Sequence, residues 1–166
     1  MNDYKFSIMI ISTQKFCERL KQSIIHISEK LYNDDIKLKL AENVADIINS
    51  EKPDTGVDFV AIVVDTTVPN AIEKCKRDIS LIMPMFVASK MCIINGSCRE
   101  GSIDLAKELI VFVDEYSIPY FNGQIMDNLS CRVTAERIIK VAAFSCGYNS
   151  GIPGILPTPN DLGLIS

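Results

Sequence analysis

A chain of 166 residues suffices for one domain with a substantial core, and 48% hydrophobic with 23% charged residues excludes a disordered chain or a coiled coil. Its net charge of −4 argues against a broad phosphate-backbone footprint, so direct nucleic-acid binding is not expected. The mean hydropathy of +0.18 comes without any apolar run of bilayer length, which points to apolar surface covered by a protein partner and to no membrane span.

The run Lys5 to Ile11 is short, apolar and followed at once by Ser12 and Thr13, which makes it a buried first strand leading into a capped helix. No basic region with a long apolar core and cleavage site precedes it, so no secretory leader and an intracellular setting are expected. From Gln14 to Tyr32, Phe16, Leu20, Ile24, Ile27 and Leu31 recur at helical spacing and predict an amphipathic helix. Ile36-Lys37-Leu38-Lys39-Leu40 alternates apolar and basic residues, the pattern of an edge strand.

After a polar Pro- and Gly-bearing stretch, Val57 to Val64 (VDFVAIVV), with an apolar run unbroken from Phe59, fits a central parallel strand. Asp65 at its end resembles a metal-binding carboxylate by position, but the residue types around it favour capping of the next helix, expected over Pro69 to Ile82. A strand at Lys90 to Ile94, a helix over Ile103 to Tyr116, a short strand at Ile118 to Phe121 and a helix from about Leu129 to Cys146, stopped by Gly147, complete the order. This alternation specifies an α/β domain over residues 1–150, with a mostly parallel central sheet flanked by helices. Residues 151–166 form an extended tail rich in Pro, Leu and Ile.

In such a sheet the chemistry sits at the carboxyl ends of the strands. A phosphate-binding loop there needs glycines for close backbone approach and a Lys for charge. The chain instead reads Ser12-Thr13-Gln14-Lys15-Phe16-Cys17-Glu18-Arg19: no glycine, Glu18 in place of the Lys, and Arg19 in place of the Mg²⁺-binding hydroxyl. A guanine-specific loop needs Asn-Lys-x-Asp, and the corresponding place reads Asn95-Gly96-Ser97-Cys98, where the Asn survives and the carboxylate does not. Ser12, Cys17, Glu18, Arg19, Asn95 and Cys98 thus mark a degenerate nucleotide site that is not expected to bind.

Six cysteines, Cys17, Cys75, Cys92, Cys98, Cys131 and Cys146, lack zinc spacing and are read as reduced, small hydrophobes. His26 is the only histidine and lies inside a predicted helix, so no triad, metal or cofactor is expected. Lys74, Lys76 and Arg77 beside Glu73 and Asp78 read as a solvated, charge-paired face.

The stretch from Val57 to Glu100 resembles the second half of a Ras-like domain, and the degenerate loops make it similar to a pseudo-GTPase. Over most of the chain the resemblance is to the centromere protein M family, small-GTPase-like subunits of the inner kinetochore. It is carried by IMIISTQKFCERL, VDFVAIVVD, SKMCIINGSCREGS and, most specifically, RVTAERIIKVAAFSCGYNSGIPGI, whose helix and Ile-Pro-Gly-Ile exit match that family's. The N-terminus is shorter than the family's, and the end of the tail has no counterpart.

The resemblance implies a nuclear, non-catalytic subunit of the constitutive centromere-associated network that docks on centromere protein I beside centromere proteins H and K. Partner-binding candidates are Met85, Phe86 and Val87, together with Ile152, Ile155 and Leu156. Two alternatives are a pseudo-GTPase adaptor of a trafficking or motor complex, and an α/β enzyme using the strand-end crevice.

Overall fold

The computed structural model describes residues 6–31, 36–48, 56–84 and 88–147. Five strands, β1 (Phe6–Ile11), β2 (Ile36–Ala41), β3 (Phe59–Val64), β4 (Met91–Asn95) and β5 (Tyr120–Asn122), form one sheet in the order β2-β1-β3-β4-β5. Every pairing is parallel. Helices α1 (Gln14–Leu31), α2 (Val44–Ile48), α3 (Ala71–Ile82), α4 (Ile103–Tyr116) and α5 (Asn128–Ser145) connect or follow the strands, with a short 3₁₀ turn at Ala88–Lys90. The architecture is the expected α/β one and is consistent with a small-GTPase-like layout. The same strand order also serves other doubly wound folds, so it fixes where a site would lie but not its ligand.

Parallel strands buried on both faces must be apolar throughout, and β3 and β4 are buried at every position. Successive side chains point to opposite faces. Ile8, Ile10, Phe59, Ala61, Val63, Cys92 and Ile94 therefore pack under α1 and α5. Met9, Ile11, Val60, Ile62, Val64, Met91 and Ile93 pack under α2, α3 and α4. The direction of winding reverses between β1 and β3, which places a crevice between the loops that follow those two strands.

Several local readings are revised. Helix α2, a single turn over Val44–Ile48, was not expected, because five residues carry too little periodicity to register. Helix α3 starts at Ala71, two residues later than Pro69 suggested, and β5 runs over Tyr120–Asn122 rather than from Ile118. Asp65 does not cap α3: its Oδ1 accepts from the backbone N–H and hydroxyl of Thr67 at 3.0 and 2.6 Å, a local turn, and α3 follows Asn70 without a side-chain cap. Where Ser12 and Thr13 were equal candidates for capping α1, Thr13 Oγ1 accepts weakly from the Phe16 N–H at 3.4 Å. The Ser12 hydroxyl instead donates to the Val63 carbonyl at 2.7 Å, tying β1 to β3.

The cysteines divide. Cys17, Cys75, Cys92 and Cys131 are buried as expected, but Cys98 is exposed and Cys146 half-buried. Burial pushes the Cys75 thiol up to about 12, with the Asp78 charge adding to the shift and Lys74 and Lys76 opposing it. Burial alone raises Cys92. A thiol raised above its unfolded value near 9 keeps its proton in the folded chain where the unfolded chain has lost it. Its stabilising contribution is whole below about pH 9 and is lost as pH rises toward the folded pKa. Melting temperature is therefore expected to fall on raising the pH above 9, and Cys92→Ala to flatten that slope while lowering stability at neutral pH; an unchanged slope would contradict the assignment.

Candidate functional site

The crevice at the switch point is small. Bounded by the β1 and β3 loops and by α3, with Thr13, Asp65, Val68, Lys74 and Asp78 among its lining residues, it encloses about 60 Å³. Small-molecule sites usually run from about 300 to 1,000 Å³. Beside it, the ends of β3 and β4 are joined by buried side-chain hydrogen bonds.

The register of the sheet explains those bonds. Val64 lies beside Asn95, so the residues just beyond each strand also meet. Thr66 Oγ1 donates to Asn95 Oδ1 at 3.0 Å and lies 3.1 Å from Ser97 Oγ. The Thr66 N–H donates to Ser97 Oγ at 2.9 Å, and the Ser97 N–H to Asn95 Oδ1 at 3.2 Å. All three residues are buried. The Tyr120 hydroxyl donates to Asn122 Oδ1 at 2.9 Å, and burial raises its phenol while the nearby Asn95 side chain opposes the rise. The side chain that could read a base is thus committed to interior partners.

Two glycines seal the arrangement. A Cβ on Gly101 would lie 1.8 Å from Thr66 Oγ1, and one on Gly96 would lie 2.7 Å from Val63 Cγ1 and 2.9 Å from Phe16 Cε2. These glycines serve close packing of loops on their own neighbours rather than approach to a phosphate.

The remaining expected positions spread apart. Glu18 is exposed at the start of α1. Arg19 turns toward the β5–α5 loop, where Nε donates to the Ile125 carbonyl at 2.8 Å and one terminal nitrogen to Met126 O at 3.1 Å and Asn128 Oδ1 at 2.6 Å. It acts as a clamp between α1 and the start of α5. Cys17 is buried, its thiol raised by burial first and by the Glu42 and Glu18 charges, against a lowering hydrogen bond to Ser12. Cys98 is held through its N–H to Gly123 O at 3.2 Å, with its side chain exposed.

Sequence reasoning missed Thr66, Ser97 and Asp78. Asp78 was read as part of a solvated face, but it is buried: Oδ1 accepts from the Val44 N–H at 3.1 Å and Oδ2 from Lys74 Nζ at 2.7 Å. It caps α2 from α3, which no local pattern could show. The six partner-binding candidates, Met85, Phe86, Val87, Ile152, Ile155 and Leu156, lie outside the described residues. Lys90 Nζ donates to the Ser145 carbonyl at the end of α5.

Larger spaces lie on the helices. An open groove of about 560 Å³ runs between α3 and α4, over Ile79, Met83, Val111 and Phe112. Among the described residues there is no group of three His, Cys, Asp or Glu placed to hold a metal, and no helix long and apolar enough to cross a membrane.

The class these features define is an all-parallel doubly wound α/β domain whose strand-end crevice is packed by its own loops. No family model and no curated protein matches the chain.

Proposed function

We propose that this protein is a non-catalytic structural subunit of the inner kinetochore, a pseudo-GTPase of the centromere protein M type. It binds and stabilises centromere protein I together with centromere proteins H and K. The observation that carries the non-catalytic part is the Thr66–Asn95–Ser97 network at the ends of β3 and β4, which commits the one surviving base-recognition residue to buried partners. Asn95 can turn to a base only by leaving those buried groups unpaired, at roughly 1–3 kcal/mol each. A domain without a working switch presents a fixed surface, which suits assembly.

The kinetochore assignment rests on the sequence resemblance.

Titration calorimetry with guanosine triphosphate and Mg²⁺ should give no binding heat, and extracts of the purified protein should contain no guanine nucleotide. Tight Mg²⁺-dependent binding would overturn the pseudo-GTPase reading. A fluorescent fusion should concentrate at centromeres; accumulation on vesicles or along microtubules instead would favour the adaptor reading.

A further inference from the structure

Helices α1 and α5 enclose a polar pocket on the outside of the domain, apart from the strand-end crevice. Arg19, Gln22, Ser23 and His26 recur at three- and four-residue steps and so share one stripe of α1. With Asn128 and Arg132, four apart at the start of α5, they line an open space of about 340 Å³. That volume falls in the usual range for ligand sites. Each of these side chains carries hydrogen-bond donors, and no Asp or Glu lines the space.

Arg19 is the fixed member. Its Nε donates to Ile125 O at 2.8 Å, and one terminal nitrogen donates to Met126 O at 3.1 Å and Asn128 Oδ1 at 2.6 Å. All three acceptors are uncharged, so the guanidinium is oriented without being neutralised. Its other terminal nitrogen keeps both N–H groups without an acceptor among the described residues. Asn128 Oδ1 is taken by Arg19, which leaves the Asn128 amide nitrogen to donate. Among the described residues neither Arg19 nor Arg132 has a carboxylate within salt-bridge distance. Of the acids close by in sequence, Asp127 accepts from the Ser130 N–H at 2.8 Å, and Glu18 and Glu136 do not line the pocket. Two unneutralised guanidiniums thus share one acid-free pocket on a chain whose net charge is −4. Like charges so placed repel, and an anion between them turns that repulsion into attraction.

We infer that this pocket binds a phosphomonoester carried on a Ser or Thr side chain of a partner protein. A phosphoryl group offers three strong acceptor oxygens and about −1.5 to −2 charge, and guanidiniums pair with it through two parallel N–H donors. A guanidinium already held in place loses little freedom on binding. The Ser23 hydroxyl, the His26 ring and the Gln22 and Asn128 amides are the further donors. The pocket is larger than the phosphoryl group, which leaves room for the chain on either side of the modified residue. A nucleotide fits less well, since no Phe, Tyr or Trp lines the pocket for a base to stack on. This inference goes beyond the proposed function and holds whichever complex the protein joins.

The test is a nitrogen-15 NMR titration of the full chain with a pentapeptide that carries one phosphoserine between glycines. Saturable shifts should be confined to the side-chain N–H signals of Arg19 and Arg132 and to the amides of Gln22, Ser23 and His26. The phosphopeptide should bind at least roughly tenfold more tightly than its unphosphorylated form, and more tightly than inorganic phosphate. Arg132→Ala removes an exposed side chain with no hydrogen bond or ion pair among the described residues. It should weaken binding by at least roughly fivefold while leaving the melting temperature unchanged, so loss of the Arg19 clamp need not enter the comparison. Arg99→Ala, which removes an exposed arginine elsewhere, should leave binding unchanged. The inference is overturned if the pocket signals do not shift, or if inorganic phosphate or a thymidine oligonucleotide binds as tightly as the phosphopeptide. It is overturned equally if Arg132→Ala leaves the affinity unchanged or if Arg99→Ala lowers it as much.

Discussion

Gly101→Ala should destabilise the domain by about 3 kcal/mol, lowering its melting temperature by roughly 10 °C. The added methyl meets Thr66 Oγ1 at 1.8 Å, Thr66 Cβ at 2.8 Å and the Ser97 carbonyl at 3.0 Å, so neither a side-chain rotation nor a small loop shift clears it alone. Any displacement of Thr66 breaks bonds to Asn95 and Ser97 in a buried setting, where each unpaired group carries a large penalty. Thr66→Ala alone should be milder, at about 1 kcal/mol, because Asn95 Oδ1 keeps the Ser97 N–H and Ser97 Oγ keeps the Thr66 N–H. The double variant should be more stable than the sum of the two predicts, by about 1 kcal/mol, since removing the hydroxyl makes room for the methyl. Strict additivity would mean that the loop relaxes elsewhere.

Asp78→Leu should cost about 2–3 kcal/mol, or roughly 5–10 °C. The substitution leaves the Val44 N–H, which ties α2 to α3, without its acceptor and Lys74 of α3 without its carboxylate. Asp78→Asn retains an acceptor for Val44 and loses only the charge, so its effect should be less than half as large. The half-exposed Lys74 contributes little by itself, because a partly solvated ion pair is screened. Equal effects for Asn and Leu would move the importance from the cap to the charge.

Both sites show why the fold could be read from the sequence more fully than the crevice could. The run Phe59 to Val64 is so uniformly apolar that only a strand buried on both faces accommodates it, and it occupies the centre of the sheet. The alternation at Ile36 to Leu40 likewise announced an edge strand, and β2 is one. Those signals are local, carried by periods of a few residues.

The crevice depends on register. Thr66 and Ser97 meet only because Val64 pairs with Asn95, and a shift by one residue would turn each side chain to the other face. Asn95-Gly96 was legible as a turn, yet the partners of Asn95 were not, because they come from another strand end. Asp78 misled for a similar reason: on a helix it sits four residues from Lys74 and looks like a surface pair, while α2 covers it from outside. What the loops lack could be read directly; what replaces the ligand could not.

Purification of the protein at native abundance from its source cells, with identification of the proteins that remain bound through stringent washing, tests the central claim most directly. Stoichiometric recovery of a helical-repeat centromere protein together with coiled-coil centromere proteins is the predicted result. Recovery of vesicle or motor proteins alone, with no centromere component, would contradict it.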